Sequence, residues 1–316
     1  MKKQILKSTL FLVLLAAFIW GLSLYFMPKN DTAEAGMREI LAKGFLAEPE
    51  NSLDYLVVGD SLPLTGVDPW AIWRDRGYTG YICAAGALDA EKGAGFLEMA
   101  LENQQPKVVL VETHHLYVKI TALESAVQRF QRLIPVLEYH DNWKFLKPEQ
   151  ALQPVCYDNP MLERGYYLRK AVSGAAPGDY MAPQEGEDPI PEQSIRIVKR
   201  MAQLCRQRNI TMVLFSLPSS VNWNDAAHRA VAALAQELEL PYLDMNLLDI
   251  GIDWSKDTLD GGDHLNATGA EKASACLETV LDGYGLRDKR DDPEFARWNR
   301  DLETFTALAA AATDRL

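Results

Sequence analysis

"LDYLVVGDSLPLTG", residues 53–66, carries a short apolar stretch straight into Gly-Asp-Ser. From Tyr55 to Gly59 the run is continuously apolar rather than alternating, which is the pattern of a strand covered on both faces. A strand that stops on a glycine, an acid and a hydroxyl leaves the core at that point. Four more stretches of the same kind follow, at Gly80 to Ala84, Val108 to Glu112, Ile210 to Leu217 and Pro241 to Asp244. Helical periodicity separates them at Ala87 to Asn103, Ala122 to Leu137, Pro191 to Arg208 and Asn224 to Leu238. This alternation predicts an α/β fold: a doubly wound, flavodoxin-like, mostly parallel five-stranded sheet with helices on both faces.

The rest of the chain bounds what such a domain does. With 316 residues, 48% of them hydrophobic, it can bury a full core in one or two folded units. A net charge of −12 and a pI near 5.0 exclude a nucleic-acid binder, which needs clustered Lys and Arg against phosphate, and fit poorly with docking on anionic lipid. The four cysteines, Cys83, Cys156, Cys205 and Cys276, are widely spaced without a metal signature. Three sit in apolar segments, so unpaired buried thiols are the reading, although an exported chain would permit disulfides.

Ser8 to Met27 is a run of twenty uncharged, mostly apolar residues. That is the length a helix needs to cross a hydrocarbon core of roughly 30 Å. Lys2, Lys3 and Lys7 precede the run, while Asp31 and Glu34 follow Lys29, which puts the N-terminus in the cytoplasm and everything after residue 28 outside. A cleaved signal peptide is the alternative, since Ala33-Glu34-Ala35 has a small-x-small pattern. The organisation expected is therefore an anchor over 1–28, a linker over 29–50, a catalytic domain over 51–287 with a Pro- and Gly-rich insertion at 147–192, and a charged, then Ala-rich helical tail over 288–316. No internal repeat is visible.

In an open parallel sheet, ligands bind beyond the carboxyl ends of the strands, and Ser61 lies just past the first of them. A helical turn starting there would aim the Ser61 backbone N–H into the cleft, making the hydroxyl a nucleophile with an oxyanion donor in the same residue. The plain alternative is that Asp60 and Ser61 only cap a helix. Near the other end, "DTLDGGDHLNATGAEKA", residues 257–273, presents His264 between two acids, Asp260 and Asp263, before a final helix to about Asp282 that Asn266 or Thr268 would cap. A Gly-rich, acid-rich loop is a suitable mount for a general base that must be exposed yet oriented.

"VVGDS" at the start of the domain and "DGGDHLN" at its end resemble the SGNH, or GDSL-type, esterase and acyltransferase superfamily over about residues 50 to 285. With its N-terminal anchor, "YHDNWKFL" (139–146) and "LPSSVNW" (217–223), the chain is similar to that family's bacterial extracytoplasmic branch, which includes the teichoic-acid D-alanine transfer protein and alginate O-acetyltransferases. The resemblance implies Ser61 as nucleophile, His264 as base, and an aspartate to orient it. The family carries that aspartate three residues before the histidine, where this chain has Gly261, so Asp260 is preferred and Asp263 comes second. It also implies oxyanion donors at Ser61, at Gly86 in "CAAGALD", and at His114 in "ETHHLY", where the family has an asparagine.

Other conspicuous residues take plain readings. His140 and His228 are expected at the surface, His115 on the far side of its strand end from His114, and Trp70, Trp73, Trp143 and Trp223 in packing roles. Glu112 either orients His114 or is an ordinary strand-end acid. No phosphate loop or dinucleotide fingerprint appears, so no cofactor and no metal is expected. The function expected is an extracytoplasmic serine acyl-transfer enzyme that O-acylates a cell-envelope polysaccharide, partnered by a membrane-bound O-acyltransferase and the polymer. The alternatives are a carbohydrate esterase (deacetylase) and a non-catalytic accessory module of such an acyltransferase.

Overall fold

The computed structural model describes residues 2–147, 149 and 153–315. Its backbone divides into two compact units, Met1–Ile40 with Thr121–Asn159, and Leu41–Ile120 with Pro160–Leu316.

The larger unit holds the sheet. Its strands are β1 (Tyr55–Gly59), β2 (Gly80–Ala84), β3 (Val108–Glu112), β4 (Thr211–Ser216) and β5 (Tyr242–Asp244), all parallel, in the order β2-β1-β3-β4-β5. Every residue of β1, β2 and β3 is buried, which is why these strands read as unbroken apolar runs. All five predicted strands are present, with β4 and β5 trimmed at their ends. The strand order reverses between β1 and β3, and the clefts of doubly wound sheets open at that switch point.

Handedness then sorts the helices. In chain order the helices are α1 (Lys2–Phe26), α2 (Ile40–Lys43), α3 (Ser61–Gly66), α4 (Pro69–Arg76), α5 (Ala90–Asn103), α6 (Ala122–Leu133), α7 (Pro135–Tyr139), α8 (Glu192–Gln207), α9 (Asp225–Leu238), α10 (Ala267–Leu281) and α11 (Ala296–Ala311). Only the β1-to-β2 connection runs toward the β2 edge, so right-handed crossovers put α3 and α4 on one face and α5, α8 and α9 on the other. After β5, α10 returns to pack on α3 and α4.

Several expectations change. The helix predicted at 87–103 starts at Ala90, because Asp89 caps it by accepting from the Glu91 and Lys92 N–H groups. The helix predicted at 122–137 breaks at Ile134, where Pro135 begins a new turn, and it belongs to the smaller unit; α8 makes the β3-to-β4 crossover instead. The tail read as a separate element over 288–316 packs within the sheet unit. Trp298 lies 5.3 Å from Trp70 and 5.2 Å from Trp73, and Phe305 packs 5.8 Å from Trp70. Beside them the buried Arg164 guanidinium meets Glu48 at 2.6 Å and Asp301 at 2.5 Å, and lies 4.7 Å over the Trp298 ring. The insertion drawn at 147–192 is split: its part from Pro160 onward is irregular backbone of the sheet unit with Tyr166, Leu168 and Ile190 buried, while residues 148 and 150–152 lie outside the described residues.

The smaller unit comprises α1, α6, α7 and the turns after them. α7 packs on the end of α1, with Val136 N–H donating to Ser23 Oγ at 3.3 Å and Asn142 Nδ2 to the Phe26 carbonyl at 3.1 Å. All four cysteines are unpaired, with Cys83 and Cys205 buried, Cys276 half-buried and Cys156 exposed. His140 and Trp143 are both exposed, which for Trp143 departs from the packing role expected.

Candidate active site

The site begins at the end of β1. A Cβ on Gly59 would stand 2.6 Å from Pro63 Cγ and 2.9 Å from Glu112 Cβ, so only glycine lets the chain turn between the neighbouring strand and the helix it enters. Asp60 caps α3 by accepting the Leu62 N–H at 3.0 Å. Ser61 is then the first residue of that helix, where a backbone N–H has no intrahelical acceptor.

Across the cleft, residues 258–265 fold into a tight loop closed by the Thr258–Leu265 bridge and the Leu259 N–H to His264 carbonyl bond of 2.9 Å. Gly261 and Gly262 both adopt positive φ, +81° and +96°, and this pair of left-handed residues folds Asp260 back onto His264. One Asp260 oxygen accepts the His264 backbone N–H at 2.8 Å and the other meets ring Nδ1 at 2.8 Å. With the proton on Nδ1, the tautomer this carboxylate contact favours, Nε2 faces Ser61 Oγ at 2.8 Å as an acceptor. Asp263 lies 3.4 Å from Nδ1 and is engaged by Asn222 Nδ2. Ser220 N–H ties the β4 loop to the Gly262 carbonyl at 2.8 Å, and Asn266 caps α10 behind the histidine. Asp260, Asp263 and His264 offer three possible ligand atoms to a cation within 4.8 Å of one another, but those atoms already bind each other.

His114 lies at the end of β3, on the other side of the switch point. Its Nδ1 meets Asp60 Oδ2 at 2.6 Å, while its backbone N–H donates to Glu112 Oε2 at 2.9 Å. Burial works against charge on this ring, but the Asp60 hydrogen bond and the neighbouring carboxylates prevail and push it up to about 9. Asp60 is held below its usual range: burial opposes its charge, and the His114 contact more than offsets this. Glu112 is fully buried and, with the charge of Asp60 added, pushed up to about 8, so it is uncharged at neutral pH. At neutral pH the strand end therefore presents an imidazolium whose Nδ1 is committed to Asp60, leaving Nε2–H to donate.

Of the residues singled out in the sequence, Ser61, His264, Asp260 and Asp263 are brought together. Gly86 lies exposed in the turn after β2, with open space where its side chain would be. Glu112 does not orient the His114 ring as one reading had it; Asp60 does, and Asp60 is a cap as well as a partner. His115 is fully buried, 3.2 Å from the Cβ position of Gly93 under α5, and burial pulls it below its usual range. His228 is half-buried rather than free at the surface: its Nδ1 meets Asp244 Oδ2 at 2.8 Å, and the same carboxylate oxygen accepts from Trp223 Nε1 at 2.9 Å. A chain of hydroxyls, Thr113 to Ser216 at 2.6 Å and Ser216 to Tyr242 at 2.8 Å, links this group to the end of β3. Sequence reasoning missed Asn222, Asp244 and the Asp60–His114 pair. Their one sequence signal is position, since all stand in or just past the carboxyl ends of strands.

No family model matches the chain, and no curated protein matches it. Among solved structures, the chain is similar to a lipase/acylhydrolase from Enterococcus faecalis (11% identity, 73% of this chain and 96% of that one, TM-score 0.42). It is also similar to an acetyl xylan esterase (11%, 72% and 98%, TM-score 0.40) and to a GDSL-like lipase from Bacteroides thetaiotaomicron (12%, 73% and 88%, TM-score 0.36).

Proposed function

We propose that the chain is a membrane-anchored, extracytoplasmic serine acyl-transfer enzyme that O-acylates a cell-envelope polysaccharide through a Ser61 acyl-enzyme. The observation that carries this reading is the pair of 2.8 Å contacts that join Ser61 Oγ to His264 Nε2 and His264 Nδ1 to Asp260. In the first half-reaction Oγ attacks the carbonyl carbon of the donor ester as Nε2 takes its proton. The oxyanion that forms is received by the Ser61 N–H and by His114 Nε2–H. His264 then protonates the departing oxygen, leaving the acyl group on Ser61. In the second, an acceptor hydroxyl gives its proton to Nε2 as its oxygen attacks, and Ser61 is regenerated. Water in place of that hydroxyl makes the same site an esterase. α1, whose 25 residues are almost wholly exposed, serves as the single-pass anchor with its N-terminus in the cytoplasm. A membrane-bound O-acyltransferase is the partner that would supply acyl groups.

The test is intact-mass measurement of the full-length protein in detergent after exposure to a fluorophosphonate probe. One adduct per chain is expected, lost in Ser61→Ala and His264→Ala. A folded wild type that takes no adduct would refute the enzyme reading in favour of an accessory module. Transfer is separated from hydrolysis by adding a glycan or polyol acceptor with p-nitrophenyl acetate and weighing the acylated product.

A further inference from the structure

Helix α6 is turned inside out. Leu123, Val127, Phe130 and Leu133 recur at helical spacing, and in a water-soluble unit that stripe would face inward. Here Leu123 is 74%, Phe130 60% and Leu133 76% exposed, while the opposite side of the helix is covered: Ser125 is buried and Gln128 and Arg132 are half-buried. The stripe continues through exposed Leu137 into an apolar groove of about 770 Å³ that Ile19 and Leu22 of α1 also line. An exposed apolar patch that runs unbroken into a bilayer-length helix shares that helix's solvent.

The depth agrees. Leu22 and Ile19 lie five and eight residues before Met27, where the apolar run of α1 ends, roughly 7 to 12 Å into the hydrocarbon at about 1.5 Å per residue. Helices that lie in a membrane surface sink their apolar faces by about 5–10 Å. Just after α7, Trp143 and Phe145 are exposed, where ring side chains settle at headgroup level. We infer that α6 is an interfacial helix that lies in the outer surface of the bilayer beside α1, its Leu123–Val127–Phe130–Leu133 stripe covered by lipid acyl chains. The driving force is apolar burial, so zwitterionic lipid suffices despite the acidic chain. This inference rests on the reading of α1 as a membrane anchor.

The experiment places a bimane label at Phe130→Cys, and separately at Val127→Cys and Leu15→Cys, in a full-length background carrying Cys156→Ser and Cys276→Ser. The proteins are reconstituted into phosphatidylcholine vesicles with acyl chains brominated either near the headgroup or near the bilayer centre. For an interfacial helix, labels at 127 and 130 lose at least about half their fluorescence to shallow bromines and less to deep ones, while the label at 15 shows the reverse order. Quenching at 15 but at neither 127 nor 130 overturns the inference and leaves the anchor standing. No quenching at 15 removes the anchor, and the inference falls with it. Protection of 127 and 130 in native membranes without quenching in pure vesicles assigns the stripe to a protein partner and also overturns it. All three labelled positions are exposed, so the label does not disturb a packed core.

Discussion

Of the three histidine–aspartate pairs at the carboxyl edge of the sheet, those of Asp260 and Asp60 are built differently. His264 and Asp260 are four residues apart on a single loop, joined through two left-handed glycines, with the Asp260 side chain 42% exposed. His114 and Asp60 are 54 residues apart, on neighbouring strand ends either side of the switch point, with the Asp60 side chain 3% exposed. The loop pair aims a ring nitrogen at a hydroxyl, and in the proposed reaction it moves a proton. The strand pair is locked by a buried carboxylate that also caps α3, and in the proposed reaction it holds a charge in place. The same two residue types thus give a base or a fixed cation according to what surrounds the carboxylate.

The largest effects should separate the pairs. His264→Ala is expected to lower kcat for p-nitrophenyl acetate by roughly 10⁶-fold, as loss of a triad base does. His114→Ala, which removes one of the proposed oxyanion donors, should cost about 10²- to 10³-fold. Equal losses would erase the distinction between base and cation.

Next come the aspartates. Asp260→Asn should cost roughly 10⁴-fold in kcat, because the amide no longer holds the ring in the tautomer that frees Nε2. Asp60→Asn acts through His114 and should show itself in the pH profile. Because His114 is raised to about 9, its charge persists through the ordinary histidine range and is lost as pH rises through about 9. Above that, Nδ1–H stays on Asp60, Nε2 becomes an acceptor, and the oxyanion donor is gone. Wild-type kcat should therefore fall on an alkaline limb near pH 9. Asp60→Asn should move that limb to lower pH, and an unmoved limb would detach His114 from the reaction.

How much of this the sequence disclosed follows the same division. Where one short segment carries both the signal and the structure, reading succeeds. β1, β2 and β3 are unbroken apolar runs because each is buried on both faces, and "DGGDH" contains its own hinge. The Asp60–His114 pair depends on strand order, and no local pattern encodes that β1 lies beside β3. The tail shows the same limit, since its charged start hides Trp298 and Phe305, whose partners Trp70 and Trp73 come more than two hundred residues earlier. α6 misled for another reason: apolar periodicity reports that a helix has an apolar side but not whether protein or something else covers it.

The smallest effect sharpens the comparison within the loop pair itself. Asp263 is next to His264 in sequence, yet its carboxylate lies 3.4 Å from Nδ1 and is taken up by Asn222. Asp260 makes two hydrogen bonds to His264, one to the ring and one to the backbone, and both survive when Asp263 loses its charge. What Asp263→Asn removes is a half-exposed charge beside the imidazolium formed during reaction. Screened by water, that is worth about 0.5 kcal/mol, roughly twofold in kcat, with KM unchanged. If Asp263→Asn instead matched Asp260→Asn, the two carboxylates would be sharing the ring, and the glycine hinge would no longer explain why the orienting acid stands four residues before the histidine.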